Sequence, residues 1–509
     1  MPEANGSTPD RFDVVIIGLG PVGATLANLL GLQGVSTLVL ERETEAYHLP
    51  RAVHFDDEVM RVFQTIGLAD EIIPSLRVNP GMRFVDATGA LLMDWPRPQE
   101  VSEFGWHASY RFHQPDLEQT LRDGLRRFPS VQVRTRCDAF AFEQDGEGVT
   151  VRYEDLATGR LQQARARYVV GCDGARSLVR RFIGSSMDDL GFHERWLVVD
   201  AVLRRPKPEL GDHTIQYCDP ARPATYVRGP GDRRRWEITV LPEEDGRVMV
   251  HPEKVWSLLA PWLRPDEAEL ERAAVYTFHS AVAQRWRAGR LLLAGDAAHQ
   301  TPPFMGQGMC SGVRDVANLA WKLEAVVKGR AQDSLLDTYQ SERAPDAHAY
   351  IETAVRLGGL INTCGTEAAL NAAFRDADGV VRLRSRVPQL GPGLAIGRVD
   401  IAGSRFAQPR LADGRRLDDA VGFGFALLCR DQLWRGAAER VRQRFEAAGI
   451  AVVTVADCPD LGPLLDAAGA AAVLVRPDRY VAGSAADEAD LAAMADALAP
   501  ADPAQASAA

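Results

Sequence analysis

No basic stretch long enough to follow a nucleic-acid backbone occurs in the 509 residues. Lys and Arg number 58 against 69 Asp and Glu, for a formal net charge of −11. The one short basic cluster, Arg233-Arg234-Arg235, reads as a solvated strand end or turn, so nucleic acid is not an expected partner. The seven cysteines are scattered and form no C-x-x-C, which excludes a zinc ribbon and a dithiol redox centre. Reduced, structural thiols of a cytoplasmic protein are expected instead. No basic start followed by an apolar core is seen, so no signal peptide is expected. The apolar run from Val14 to Leu40 is broken by five glycines, so no membrane contact is expected. G-x-S-x-G is absent, and with it the nucleophile elbow; neither a nucleophile triad nor a metal is expected.

What is present is an ordinary globular composition, 46% hydrophobic and 25% charged, in a chain long enough for two to four domains. From Phe12 the pattern is strand, helix, strand: "FDVVIIG", a helix over about 21–31, then "STLVLER". Leu117, Leu121 and Leu125 repeat at helical spacing, and "VQVRT", "VTVRYEDL" and "RARYVVGCDG" read as strands. Between about 186 and 278 the alternation suggests an antiparallel sheet. Helical sequence follows, in "VRDVANLAWKLEAVVKG" and on through "LLDTYQSERAPDAHAYIETAVRL". After a Gly/Pro connector, "GFALLCR", an amphipathic "LWRGAAERVRQRFEAAG", "AVVTVAD" and "AAAVLVRPDRYVAG" make a small α/β unit, and the low-complexity tail is expected to be disordered.

Gly18-Leu19-Gly20-Pro21-Val22-Gly23 fits G-x-G-x-x-G between an apolar strand and a helix, the context that marks a dinucleotide site. Gly18 permits the turn, Gly20 lets amides approach a pyrophosphate, and Gly23 lets helix and strand pack closely. Pro21 and Val22 open the helix, whose N-terminus favours an anion. Glu41, at the end of the second strand, suits the adenosine ribose hydroxyls. This motif alone leaves NAD and FAD both open. No second strand–GxGxxG–helix unit exists, so a nicotinamide donor has no Rossmann domain of its own.

Two later motifs bear on that choice. "YVVGCDG" ends a buried strand in Asp173-Gly174, and "RLLLAGDAAHQTPPFMGQGMC" carries a strand into Gly295-Asp296 and then a Pro- and Gly-rich loop. With the first motif and "YQSERAP", these make residues 12–375 resemble the FAD-dependent aromatic hydroxylases, the single-component flavoprotein monooxygenases. The segments "RAVHFDDEVMRVFQTIGL" and "PFMGQGMCSGVRDVANLAWKL" look most like the 3-(3-hydroxyphenyl)propionate and 3-hydroxycinnamate hydroxylases.

The resemblance implies an α/β protein with a Rossmann-like FAD-binding domain (11–78, 106–185 and 279–380), an inserted, mostly antiparallel substrate sheet (79–105 and 186–278) and a thioredoxin-like C-terminal domain (400–498), with flexible tails at 1–10 and 499–509. It implies non-covalent FAD, NADH or NADPH as a transient donor, and O2 as co-substrate. The reaction implied is ortho-hydroxylation of a small phenolic substrate through a C4a-hydroperoxyflavin. Epoxidation, or Baeyer–Villiger-type tailoring of a polyketide or other phenol on the same fold, is the alternative. A homodimer is possible through the C-terminal unit. Asp296 would take a ribityl hydroxyl, and the loop with Pro303, Gly306 and Gly308 would pass the flavin ring. The helix beginning near Met309-Cys310 would aim its positive end at the flavin's pyrimidine edge. Arg42, Arg51, Arg111, Gln114 and Asp173 are further cofactor candidates. His54, Asp56, Tyr217 and Arg228 are candidates to position or activate the phenol. His299 reads as a structural hydrogen-bonder, and Arg222, Arg228 or Arg195 could meet a substrate carboxylate.

Overall fold

The computed structural model describes residues 10–46, 51–363 and 386–498. Except for Asp10, the tails expected to be flexible lie outside the described residues, as does most of the end of the expected third flavin-domain segment. Among the described residues no helix is long and apolar enough to cross a membrane.

Five strands form the parallel part of the first sheet, in the order Leu291–Leu293, Arg160–Gly171, Asp10–Ile17, Thr37–Leu40, Val131–Arg134. Val14, Val15, Ile16, Leu38 and Val39 are fully buried. A strand covered on both faces loses polar alternation, which is why these runs are uniformly apolar. Helix Pro21–Leu32 lies on one face, with Pro21 at its first turn, where a missing N–H costs nothing. Ile17, Gly171 and Leu293 end adjacent parallel strands, so the first Gly-rich turn, the Asp173 turn and the Gly295-Asp296 turn all open at one edge. In open α/β sheets that edge is where ligands sit.

The second sheet has eight strands, in the order His299–Gln300, Ala268–Ala283, Met187–Leu203, Arg233–Thr239, Ala224–Arg228, Thr214–Tyr217, Gly81–Val85, Leu91–Pro96. It is antiparallel except where Thr214–Tyr217 runs parallel to Gly81–Val85. Side chains alternate between its faces. Leu197, Val199, Trp236, Ile238 and Tyr226 pack on one face, covered by helix Pro252–Leu259 through Val255 and Leu259. Phe84, Trp95 and Trp196 cluster on the other with Phe304, Leu357 and Ile361, so this second face packs on the loop carrying Phe304 and on helix Thr338–Thr363.

In the C-terminal part the strands Ala451–Thr454, Ala426–Cys429, Ala472–Val475 and Val481–Ala485 make a mixed four-stranded sheet. The amphipathic stretch forms two helices, Asp431–Gly436 and Glu439–Ala447. Ala437 and Ala438 between them are extended (ψ 136° and 145°). The break brings Gly436 against Glu488, where a Cβ would stand 2.4 Å from Oε1.

Candidate active site

The first turn is built so that two of its glycines pack and one stays open. Gly18 has φ +99°, and a Cβ there would meet the Cys172 carbonyl oxygen at 2.5 Å. A Cβ on Gly23 would stand 2.1 Å from the Gly18 oxygen, while at Gly20 nothing lies within 4 Å. Tight backbone packing around an open N-terminal amide is the form of a pyrophosphate cradle. Glu41 closes the turn: its Oε2 accepts from Leu19 N at 2.7 Å and its Oε1 from Glu43 N at 2.8 Å. Beyond it a cavity of about 750 Å3 is lined by Leu19, Thr44, Pro115, Arg122, Val133 and Thr135. Arg122 donates to Leu19 O at 3.2 Å, and its buried Nε has no partner. Arg42 is exposed and pairs with Glu43 at 3.2 Å.

The Gly295 turn meets the first turn directly. Gly295 has φ +63°, and its missing Cβ would lie 3.0 Å from Val22 Cγ2. Its N–H donates to Asp315 Oδ2 at 3.1 Å, an oxygen that also lies 2.6 Å from His299 Nε2. Arg343, the Arg of "YQSERAP", donates to the other oxygen of Asp315 at 3.1 Å. His299 thus ties the loop to helix Gly308–Val327, and its ring lies tilted against Trp286 with centroids 5.3 Å apart. Asp296 itself is exposed at the strand end, and Asp173 Oδ2 accepts from Leu178 N at 2.7 Å while its buried Oδ1 has no partner. Pro303 begins a 3-10 turn ending at Gly306, and Gly308 begins helix Gly308–Val327. Met309 is half-buried and Cys310 is buried, its thiol near His54 O at 3.8 Å; burial pushes that thiol well above its ordinary range.

A three-stranded ribbon, His54–Asp56, Ser109–Arg111 and Arg77–Val78, stands beside this loop. His54 lies 3.3 Å from Gly306 O through Nδ1 and 2.7 Å from Ser109 Oγ through Nε2. Burial and then the Arg111 charge push its pKa down to about 3, so it is neutral. Asp56 caps helix Asp57–Thr65 by accepting from Val59 N at 3.2 Å and is ion-paired with Arg314. Burial works against its charge, but the Arg314 guanidinium holds it below the usual carboxylate range. Gln114 pins the segment after residue 50: its Oε1 accepts from Arg51 N at 2.8 Å and Ala52 N at 2.6 Å. Arg51 also contributes its carbonyl to Arg235, at 2.8 Å.

Several expected assignments change. Asp56, expected to face the phenol, is committed to a cap and an ion pair. Tyr217 points to the covered face of the second sheet, where its oxygen accepts from Trp262 Nε1 at 2.9 Å. Arg228 sits at a strand end on Asp212 (3.3 Å) and Gly231 O (2.8 Å). Arg222 holds both oxygens of Glu244 at 2.8 and 2.9 Å, and Arg195 donates to the Leu241 carbonyl at 2.8 Å. On the opposite face, also buried, stand other residues: Thr214, Gln216, Glu237, Asp200 and Arg235, with Trp196 beside them. Arg111, expected along the cofactor, reaches across to Thr214 Oγ1. Burial and the nearby Arg97 charge pull its pKa down to about 10. Strand alternation carried this information, but which face was covered depended on helix Pro252–Leu259, far away in sequence.

These observations fit a long dinucleotide. An open cradle at Gly20, a cavity beyond Glu41 and an exposed Asp296 lie along one edge, joined where Val22 meets Gly295. A family model described as an FAD binding domain matches residues 11–354, and one described as the HcaD C-terminal domain matches 403–501. The chain is 40% identical to a probable NADH-specific resorcinol 4-hydroxylase of Rhodococcus jostii (strain RHA1), with 97% of this chain and 96% of that protein covered. It is 39% identical to a 3-(3-hydroxy-phenyl)propionate/3-hydroxycinnamic acid hydroxylase of Burkholderia cenocepacia (strain HI2424), covering 93% and 94%. Among solved structures, the flavin-dependent monooxygenase PieE with FAD and substrate superposes with TM-score 0.85 at 24% identity, over 96% of this chain and 99% of that one. The rebeccamycin biosynthetic enzyme RebC with reduced flavin gives 0.77 at 26%, over 97% and 99%. The chain belongs to the FAD-binding aromatic hydroxylases, the single-component flavoprotein monooxygenases.

Proposed function

We propose that this enzyme uses NADH and O2 to hydroxylate a phenol bearing a short carboxylated side chain, 3-(3-hydroxyphenyl)propionate or 3-hydroxycinnamate, ortho to its hydroxyl. Phenol, O2, NADH and a proton would give the catechol, NAD+ and water. The observation behind this reading is a pair of features on connected segments: an aromatic wall on the loop after Asp296, and a buried cation on the ribbon that holds that loop. Phe304, on the loop after Asp296, packs on Trp196 and Phe192 with ring centroids 5.5 Å apart in each pair. Arg111 stands on the ribbon that holds this loop through His54. An aromatic ring suits the wall, and a carboxylate suits the buried guanidinium.

Bound FAD supplies electron transfer from the nicotinamide and activation of O2. The chain's part is to hold, orient and keep water away. The Gly20 amide and the start of helix Pro21–Leu32 take the pyrophosphate, Glu41 the ribose, and Asp296 the ribityl chain. Pro303, Gly306 and Gly308 would pass the flavin ring, and the positive end of helix Gly308–Val327 would favour negative charge on it. Asp173 and Gln114 hold the turns around them. We propose for residues 400–498 a thioredoxin-like packing unit, supported by its mixed sheet and by the lack of C-x-x-C, and a homodimer that light scattering would test.

A second reading, resorcinol hydroxylation, is favoured by the likeness to the Rhodococcus jostii protein. Resorcinol carries no carboxylate. NADH oxidation with each phenol, with identification of the product, separates the two. The first reading expects fast, coupled turnover with the phenylpropionate, and Arg111→Met raising its KM on the order of tenfold or more without changing that of resorcinol. Coupled turnover with resorcinol alone would overturn it.

A further inference from the structure

A run of buried charges joins the C-terminal unit to the flavin-facing loop, and the hydroxylation reaction makes no direct use of it. Arg314, on helix Gly308–Val327, reaches three partners. It donates to Gln307 Oε1 at 3.0 Å, to Glu58 Oε2 at 2.7 Å and to the Asp56 carboxylate. Gln307 is the residue just before the helix, in the loop expected to pass the flavin. Glu58 is held from the other side by two C-terminal residues. The Tyr480 hydroxyl donates to Oε1 at 2.6 Å, and Arg405 Nη1 lies 3.7 Å from Oε2 and 3.1 Å from Asp57 Oδ1. Arg314 is 1% exposed and Glu58 8%. Burial opposes the charge on Glu58, but Arg314 and Arg405 keep its carboxyl below the ordinary range.

We propose that Tyr480 and Arg405 are positioning residues for the flavin: they fix Glu58, Glu58 and Asp56 fix Arg314, and Arg314 fixes Gln307 and the loop ahead of the helix. This rests on the cofactor assignment and extends it to the C-terminal unit. The physical reason is satisfaction of a buried network. A carboxylate with all of its donors has one orientation; take two donors away and it can turn, carrying its guanidinium partner with it. Neither Tyr480 nor Arg405 is part of the 302–308 loop, so an effect of Tyr480 on the flavin must pass through Glu58, and one of Arg405 through Glu58 or its neighbour Asp57. A parallel route runs through adjacent residues of "YQSERAP". Glu342 accepts from Arg476 at 2.9 and 2.7 Å, and Arg343 holds Asp315, which holds Gly295.

The test uses the full chain, freed of flavin, titrated with FAD and followed by flavin fluorescence and the visible band of the bound form. Tyr480→Phe and Arg405→Met should weaken FAD binding about three- to thirtyfold and shift the band, and Arg405→Lys should recover part of both. The control is Arg61→Met, which breaks a pair with Asp418 (2.8 and 2.9 Å) and a bond to Phe406 O (2.7 Å) across the same interface but removes none of the donors to Glu58 or Asp56. It should lower the melting temperature and leave affinity and band unchanged. The proposal is overturned if the relay variants lower melting alone, or if Arg61→Met moves the flavin readouts equally. Should Arg405→Met not fold, Tyr480→Phe, which removes one oxygen, carries the same decision. Failure of the wild-type chain to take up FAD would instead remove the cofactor assignment, and this proposal with it.

Discussion

Val22 and Gly312 touch closely: a Cβ on the glycine would stand 2.6 Å from Val22 Cγ2 and 3.0 Å from the Gly295 backbone. The first Gly-rich turn thus packs directly against the Gly295 turn and the helix that follows it, far later in the chain. Gly312→Ala is expected to destabilise the fold by about 1–3 kcal/mol, the usual cost of overpacking, and to weaken FAD binding. Val22→Ala in the same chain should restore part of both. Urea unfolding and FAD titration of the single and double variants check this; no recovery in the double variant would count against the contact.

The first and second glycines of the leading motif should behave differently. Gly18→Ala forces a side chain into a positive-φ turn and against the Cys172 carbonyl, so the flavin-free protein should lose stability. Gly20→Ala has φ −71° and open space, so flavin-free stability should hold while FAD affinity falls by an order of magnitude or more. Thermal melting without flavin, paired with FAD titration, distinguishes the two.

Local geometry explains what was legible in the sequence. Gly18, Gly20, Gly23, Gly295 and Asp296 are readable because turn shape and strand ends are set by neighbours in the chain. The parallel apolar strands were readable for the same reason. The ion pair of Asp56 was not, because Arg314, 258 residues further on, meets it only after folding, and "ER" in "YQSERAP" carried no sign of which carboxylate or guanidinium each would meet. Tyr217 was misread for a related reason: its strand parity was plain, but the covering helix that decides which face is buried lies elsewhere. The break at Ala437-Ala438 had no local signal either, since both alanines favour a helix.

Asp56 is expected to be structural. Asp56→Ala would leave Arg314 with one fewer buried anion and remove the cap of helix Asp57–Thr65, costing about 3–5 kcal/mol. The loss should appear in the flavin-free protein by denaturant unfolding. A variant of unchanged stability that turned over slowly would point instead to a role at the substrate.

Acid should act through Glu342. Burial opposes its charge, but Arg476 and Lys322 outweigh this and hold the carboxyl down to about 2, against an ordinary 4.5. A carboxyl depressed in the folded state adds stability that is complete above the unfolded value and lost as pH falls through the folded one. Between pH 5 and 2 the wild type should therefore lose on the order of 3 kcal/mol more than Glu342→Gln. Denaturant midpoints across that range check it; parallel pH curves for the two proteins would exclude it.

The most direct test is titration of the flavin-free chain with FAD and, separately, with its halves ADP and riboflavin. If two distant turns grip opposite ends of one molecule, a single FAD binds per chain. Gly20→Ala then weakens FAD and ADP on the order of tenfold and spares riboflavin, whereas Asp296→Ala weakens FAD and riboflavin and spares ADP. No saturable FAD binding, or two substitutions that affect both halves alike, would contradict the account.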